Sequence, residues 1–269
     1  MPKAESKTMK VESACLGSVR RKIAVADVAF DSQTGDILVV TSSGHASCAV
    51  TSYRITVNGD CDAYTLNISA MAGLYAQCHV SHSDYVISHV RFMAMESEHA
   101  LMVAAGDSQS SQLELWCQDN DFIPLHKSFT APGDTKLTQK RWVHKNSVAH
   151  ASMPLAIATP TFPVKYTGLD PSGKLFQCVA VAYKDGSIKI ISKPAFRAVT
   201  TTNLDMGFND LDPAEKRRKL SPHITCMRQT FTGCGLLGFD QFGKSLFECW
   251  GLCLHGRCTC TQWSVLFKR

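Results

Sequence analysis

Four cysteines and one histidine near the end of the chain have the residue types of a zinc site. Cys249, Cys253, Cys258 and Cys260 surround His255. Structural zinc sites usually place their ligands in pairs on a tight turn, most often as Cys-x-x-Cys. Here three, four and one residues separate successive cysteines, so the sequence contains no such pair. The spacing favours ordinary thiols, and we predict no metal here.

Three histidines, His79, His82 and His89, are close enough in sequence to approach a metal ion. No cysteine or carboxylate at a suitable spacing completes a convincing ligand set, and loop histidines are usually surface residues. The chain also lacks G-x-S-x-G, G-x-x-x-x-G-K-[ST] and H-E-x-x-H motifs. We therefore predict a protein that is not an enzyme and needs no cofactor. The alternative is an active site assembled from residues far apart in sequence.

The strongest candidate for a functional motif is Lys216-Arg217-Arg218-Lys219. Four contiguous cations repel one another, so this segment is expected to stay solvated and open to an acidic receptor groove. Its composition matches a nuclear localisation signal, with an ordinary solvated loop as the alternative. Ser221 follows closely and precedes a proline. A phosphate on Ser221 would add about −1.5 to −2 charges beside the cations and could mask them.

The composition indicates a globular protein with a mildly basic net charge of +5. Direct nucleic-acid binding needs cations gathered on one face, and Arg20-Arg21-Lys22 and Lys140-Arg141-Trp142 are too short and too far apart to establish one. No apolar run approaches the roughly 18 residues of a membrane-spanning helix. Met1–Lys10 is polar where a secretory signal would be apolar. We expect an intracellular protein that contacts neither nucleic acid nor a membrane.

The elements that must position these residues are short strands bounded by Gly, Asp and Ser. In Val179–Ile191, two apolar runs meet at Lys184-Asp185-Gly186. Asp-Gly supplies the positive φ angles of a tight two-residue turn, so Asp185 and Gly186 predict a β-hairpin. Comparable meanders occupy residues 23–57, 86–117 and 224–249. Val90-Arg91-Phe92 follows Val28-Ala29-Phe30 by 62 residues, whereas WD-type blades repeat at about 40 to 45, so the units are expected to carry insertions.

Repeated antiparallel meanders predict an all-β protein, a partial WD40-like β-propeller of about four blades. We expect a flexible tail over residues 1–17, the partial propeller over 18–250 with an exposed basic loop at 200–222, and an irregular tail over 251–269. The connection between residues 58 and 85 is expected to contain a short helix near Ala70–Cys78. The cysteines are expected to be mostly buried thiols, because they are scattered through strand-like sequence.

Five segments of the chain, in this order, resemble subunit sixteen of the Mediator complex, the WD-repeat-type subunit of its tail module. The resemblance extends over Ser18–Glu248, and the shared order of the segments is more specific than any one of them. The segments are K-I-A-V-A-D-V-A-F (Lys22–Phe30), Q-L-E-L-W-C (Gln112–Cys117), A-Y-K-D-G-S-I-K-I-I (Ala182–Ile191), E-K-R-R-K (Glu215–Lys219) and L-L-G-F-D-Q-F-G-K (Leu236–Lys244).

The resemblance implies a nuclear, non-enzymatic transcription coregulator that relays signals from DNA-bound activators to RNA polymerase II. Its partners would be other Mediator tail subunits and transcriptional activators. The family fold is an N-terminal β-propeller followed by a long helical region. This chain shows no counterpart of the first blades before Ser18, and no helical region, so a fragment with an open ring is expected.

The surfaces that would carry such contacts are loops and strand edges. Phe162, Tyr166, Phe196 and Phe208 lie in predicted loops, where aromatic residues either anchor partners or pack back onto the propeller. Two further functions stay open. One is a propeller scaffold outside transcription, and the other is an enzyme with a site in the central channel.

Overall fold

Sixteen β-strands and one short 3-10 helix make up the regular structure in the described part of the chain. A computed structural model of the protein describes residues 12–16, 22–31, 33–60, 63–82, 84–93, 99–124, 136–159, 178–192, 195–203, 224–229, 235–240, 245–250 and 261–265. The first eight strands are β1 (Val25–Phe30), β2 (Ile37–Ser42), β3 (Thr51–Asp60), β4 (Ala63–Ala70), β5 (Val86–Met93), β6 (Ala100–Gly106), β7 (Ser111–Pro124) and β8 (Lys136–His150). The others are β9 (Pro154–Ala158), β10 (Cys178–Tyr183), β11 (Ser187–Ser192), β12 (Arg197–Asn203), β13 (Ile224–Gln229), β14 (Gly235–Asp240), β15 (Ser245–Trp250) and β16 (Thr261–Val265).

The strands form four sheets of four strands each, and within every sheet the strands pair antiparallel in chain order. We call these sheets the first blade (β1–β4), the second blade (β5–β8), the third blade (β9–β12) and the fourth blade (β13–β16). The first strands of successive blades lie side by side, β1 against β5, β5 against β9 and β9 against β13. This arrangement confirms the predicted all-β, WD40-like propeller of about four blades.

The core consists of three apolar layers, each between two adjacent blades. Leu38 and Val40 of the first blade pack with Leu101 and Val103 of the second. The opposite side of the second blade supplies a layer shared with the third blade, and the third blade then packs on Met227 of the fourth. The middle blades are therefore covered on both faces, which explains their nearly continuous apolar strands.

Several predicted boundaries are wrong, because pairing between strands outweighs local composition. Thr261–Val265, in the tail predicted to be irregular, is β16 and pairs with β15. β12 extends to Asn203, inside the predicted 200–222 loop. The helix expected near Ala70–Cys78 is a four-residue 3-10 helix at Gln77–Val80, and β4 occupies part of the same predicted connection.

The described cysteines are thiols rather than disulfides, as predicted, but only some of them are buried. Cys78 and Cys117 are buried, whereas Cys15, Cys48 and Cys226 are exposed. Among the described residues, the single short helix is far below the length needed to span a membrane.

Candidate interaction surfaces

The Asp185–Gly186 loop joins β10 to β11 with three residues, one more than the predicted two-residue turn. The backbone N–H of Gly186 donates to the carbonyl of Tyr183 at 3.1 Å, which closes a turn through Lys184 and Asp185. Within this loop, Gly186 is the residue with a positive φ, of 83°. A turn of this kind needs one left-handed residue to return the chain to the ladder, and glycine takes that conformation without a Cβ clash.

Asp185 belongs to a polar cluster with the residue types of a nucleophilic triad. The Nε2 atom of His150 lies 3.0 Å from Oδ2 of Asp185 and 3.1 Å from Oγ of Ser187. The hydroxyl of Ser187 donates to Oδ1 of Asp185 at 2.6 Å. In a working triad the serine and the carboxylate meet opposite nitrogens of the imidazole. Here both meet the same nitrogen, so His150 does not relay a proton from Ser187.

The electrostatics of this cluster agree with a structural role. Burial and the nearby ammonium of Lys189 lower the pKa of His150, so the ring is neutral near pH 7. Burial raises the pKa of Asp185, but hydrogen bonds from Ser187 and the proximity of His150 outweigh it, so the net shift is downward. The ionised carboxylate of Asp185 accepts a hydrogen bond from the Nε2–H group of the neutral His150 ring. This bond connects the end of β8 to the β10–β11 turn.

A second network is centred on Glu114 of β7, whose side chain is fully buried. Its carboxylate accepts three hydrogen bonds. Two come from the backbone N–H groups of Gln77, at 2.9 Å, and Cys78, at 2.7 Å, and the third comes from the indole N–H of Trp116, at 2.9 Å. Three donors compensate for the loss of hydration. Glu114 thereby fixes the 3-10 helix to the second blade. Burial and the adjacent Glu114 raise the pKa of Cys78 to about 12, so its thiol is unreactive.

Polar contacts also join the first blade to the second. The carboxylate of Asp27, in β1, accepts a hydrogen bond from the guanidinium of Arg91 at 3.0 Å and another from the backbone N–H of Phe92 at 2.8 Å. His99 lies 3.3 Å from Oδ2 of Asp31, and the guanidinium of Arg54 lies 3.3 Å from the His99 ring. These contacts connect the first blade to the second. Sequence patterns did not identify Asp27 or Glu114, although a single carboxylate within an apolar strand is a signal for a buried partner.

The predicted basic motif, Lys216, Arg217, Arg218 and Lys219, lies outside the described residues, as does Ser221.

Of the residues weighed as metal ligands, Cys253, His255, Cys258 and Cys260 also lie outside the described residues. Within the described residues no group of three His, Cys, Asp or Glu side chains could hold a metal ion. His82 stacks on Tyr85 with ring centroids 4.4 Å apart, and burial lowers the pKa of His89 to about 4. Both histidines are engaged in packing.

Burial decides the role of one of the four predicted aromatic anchors. Phe196 is 1% exposed and packs between the second and third blades, so it stabilises the propeller rather than contacting a partner. Phe162, Tyr166 and Phe208 lie outside the described residues.

Trp142 is buried, and its indole N–H donates to Ser52 at 3.2 Å. Trp142 is therefore not available to stack on a base.

Three exposed large apolar side chains lie on one side of the first blade. Phe30 is 69% exposed, Val28 is 63% exposed and Val57 is 49% exposed. They lie on the side of the first blade opposite to the side that packs on the second blade. Exposed apolar side chains on one side of a sheet make that side a candidate interaction surface.

The fold defines a class of protein, a WD-type propeller, and the described residues assemble no catalytic group in it. The chain is similar to Mediator of RNA polymerase II transcription subunit 16 of Homo sapiens, at 26% identity over 87% of this chain and 28% of that protein. The chain is also 23% identical to subunit 16 of Xenopus laevis and to subunit 16 of Xenopus tropicalis, in each case over 87% of this chain. These matches cover 35% of the first protein and 30% of the second.

These matches confirm the predicted resemblance to Mediator subunit 16, as a distant and partial homologue. The chain spans about a third of the length of these curated relatives. No family model matches the chain. A solved structure described as the Dos1 propeller aligns with 82% of this chain and 44% of that chain, at 9% identity and a TM-score of 0.42.

Proposed function

We propose that the chain is a non-enzymatic part of a Mediator subunit that connects transcriptional activators with RNA polymerase II through protein contacts. The observation that carries this proposal is the similarity to three subunit 16 proteins over 87% of the chain. The geometry supports it, because the described polar clusters connect blades and turns and leave no activated nucleophile. Other tail subunits and activators are the proposed partners.

Affinity purification of the tagged chain from nuclear extract, followed by mass spectrometry, tests this proposal. We expect other Mediator subunits to be recovered with the chain. A matched control is the Glu114→Ala variant, which removes the acceptor of two buried hydrogen bonds and one partly buried one, and is expected to lose folded structure and partners together. Recovery of the same proteins with folded wild type and unfolded variant would show that the capture is non-specific. A folded wild-type chain without Mediator subunits would contradict the proposal.

We further propose that the chain acts in the nucleus and that Lys216, Arg217, Arg218 and Lys219 direct it there. Replacing all four by alanine should shift a fluorescent fusion towards the cytoplasm, because an acidic receptor groove then loses its charge partners. Alanine substitution of Arg20, Arg21 and Lys22 provides a matched control of similar charge. Equal nuclear accumulation of both variants would contradict the assignment.

Ser221→Asp tests whether a negative charge next to these cations masks them. We expect reduced nuclear accumulation relative to Ser221→Ala, because the added carboxylate partly neutralises the neighbouring cations. The readout is the nuclear-to-cytoplasmic fluorescence ratio. Identical ratios for the two variants would remove the regulatory role of Ser221 and leave the localisation motif itself unaffected.

A further inference from the structure

Loops at one end of the blades form a single surface in the described part of the chain. The connections that follow the second and fourth strands of a sheet leave from the same end, because alternate strands of an antiparallel sheet run in the same direction. We call this surface the upper rim. Its described members are residues 43–50, 71–82, 84–85, 107–110, 151–153 and 184–186.

Hydrogen bonds join the loops of the upper rim from one blade to the next. The hydroxyl of Tyr85 lies 2.6 Å from the hydroxyl of Ser110, which links the β4–β5 connection to the β6–β7 loop. Ser111, the first residue of β7, donates to the carbonyl of Ser152 at 2.5 Å, and the Ser152 hydroxyl accepts a hydrogen bond from the backbone N–H of Asp185 at 3.1 Å. These bonds preorganise the rim, and a preorganised surface loses less conformational entropy when a partner binds.

The β4–β5 connection contributes the apolar part of the upper rim. Tyr75 is 56% exposed and Val80 is 75% exposed, and the ring centroid of His79 lies 6.1 Å from that of Tyr75. Cys78 of the same turn is buried, and Glu114 accepts two backbone N–H bonds that fix the turn. A buried carboxylate is tolerated only where hydrogen bonds offset its lost hydration. Here those bonds fix an exposed turn that carries an aromatic ring and a valine.

Two ionised carboxylates lie on the same rim. The backbone N–H groups of Gln109 and Ser110 donate to Asp107 at 2.7 Å each, and these bonds lower the pKa of its exposed carboxyl group. Asp107 is also close to His82 of the β4–β5 connection. Asp185, whose pKa is lowered too, has a side chain that is 43% exposed. The formally charged side chains of the described rim are Asp84, Asp107, Lys184 and Asp185. The rim is therefore acidic, in a chain whose net charge is +5.

We propose that the upper rim docks a protein segment in which an apolar side chain is flanked by lysine or arginine. The apolar side chain packs on Tyr75 and Val80, and the flanking cations meet Asp107 and, further along the rim, Asp185. The inference rests on the proposed function, a part of Mediator that acts through protein contacts, and adds the surface and the chemistry of the partner.

The charges and the side chains of the rim favour a partner of this chemistry. Opposite charges across an interface speed association and disfavour partners of the wrong charge, so the rim carboxylates select for lysine and arginine. Tyrosine is enriched among the residues that carry most of the binding energy of protein interfaces. Single exposed apolar residues are common on protein surfaces, but Tyr75 and Val80 belong to one fixed turn beside an anionic loop.

A random peptide library displayed on phage and selected on the purified full chain tests the proposal. We expect the enriched peptides to share an apolar residue flanked by lysine or arginine. A fluorescent synthetic peptide of the enriched sequence then reports the dissociation constant by fluorescence anisotropy. Replacing its lysines and arginines by glutamate should abolish binding, because the rim carboxylates repel the altered peptide.

Variants at the apolar turn locate the peptide on the rim. Tyr75→Ala should raise the dissociation constant at least about 10-fold, because it removes the aromatic anchor. Tyr75→Phe should keep the dissociation constant within about 2-fold, because the ring is retained. Val199→Ala is the matched control, since Val199 is 64% exposed on β12 and lies outside the rim.

A charge variant tests the electrostatic part of the proposal. Asp107→Asn keeps an acceptor oxygen for the loop and removes the charge. It should raise the dissociation constant about 3-fold at low salt and weaken the dependence of binding on salt. Asp119→Asn is its control, because the Asp119 side chain is 50% exposed on β7 and lies outside the rim.

Three results would overturn the proposal. They are enrichment of acidic peptides or of no peptide, equal binding by wild type and a folded Tyr75→Ala variant, and equal losses for Tyr75→Ala and Val199→Ala. If circular dichroism shows Tyr75→Ala to be unfolded, equal dissociation constants for Asp107→Asn and Asp119→Asn would overturn it instead.

The peptide selection uses no Mediator subunit, so its outcome is separate from that of the purification from nuclear extract. Recovery of Mediator subunits without peptide binding at the rim would contradict this inference alone. Peptide binding at the rim without recovery of Mediator subunits would contradict the transcriptional role alone.

Discussion

Ile157 and Phe30 occupy matching sides of the first strands of two blades, yet they differ widely in burial. Ile157 of β9 is 6% exposed, whereas Phe30 of β1 is 69% exposed. Both strands are short and apolar, and both pair antiparallel with the next strand of their sheet. The difference arises because the second blade covers Ile157, while no described blade covers Phe30. In this fold the neighbouring blade, and not the strand itself, decides whether an apolar residue belongs to the core.

The largest effect is expected where the middle of the molecule buries a charge. Glu114→Ala would leave the N–H groups of Gln77, Cys78 and Trp116 without their acceptor. We expect the free energy of unfolding to fall by roughly 3 to 5 kcal/mol, because the two buried donors cost about 1 to 3 kcal/mol each when orphaned and the partly buried N–H of Gln77 costs less. Urea denaturation followed by tryptophan fluorescence measures the change.

Glu114→Gln keeps the shape of the side chain and one acceptor oxygen, and should cost less than Glu114→Ala. Equal stability of wild type and Glu114→Ala would show that the carboxylate does not hold the 3-10 helix to the second blade.

A direct test of the comparison replaces one residue on each of the two matching sides. Ile157→Ala leaves a cavity between the second and third blades and should cost about 2 to 4 kcal/mol. Val28→Ala, on the exposed side of the first blade, should change the free energy of unfolding by less than about 0.5 kcal/mol. Both are measured by denaturation at low protein concentration, so that association between copies does not contribute.

Similar losses for the two variants would contradict the conclusion that a neighbouring blade creates the core.

A smaller effect is expected from the buried histidine of β5. Burial, aided by the charge of Arg91, lowers the pKa of His89 from 6.5 to about 4 in the folded protein. The unfolded chain therefore binds this proton first, and stability falls as the pH drops from about 6.5 to about 4. At about 1.4 kcal/mol per pKa unit, the loss of unfolding free energy should be at most about 3 kcal/mol. His89→Gln should remove it.

The measurement is the free energy of unfolding as a function of pH for wild type and variant, with His45→Gln on an exposed position as the control. Parallel pH profiles for wild type and His89→Gln would show that His89 is not desolvated by the blades around it.

Local patterns predicted much of the fold and some of the turn chemistry. The β-branched runs predicted the strands, and Asp185-Gly186 predicted a turn between β10 and β11, because Gly186 is the residue that adopts a positive φ. The pattern did not predict the three-residue length of that loop, or β16, because strand pairing decides both. Phe196 illustrates the same limit: an aromatic residue in a predicted loop is compatible with a partner or with the core, and only packing distinguishes them.

The sequence by itself determined the all-β character, the meander repeat and the resemblance to Mediator subunit 16, since these depend on residue type and order along the chain. Only the tertiary structure decided which carboxylates are buried, which side of each blade is covered, and that His150 meets Asp185 and Ser187 through one nitrogen. The physical reason is that alternation along a strand separates its two faces, but burial depends on what lies against each face. That neighbour is distant in sequence, so no local pattern encodes it.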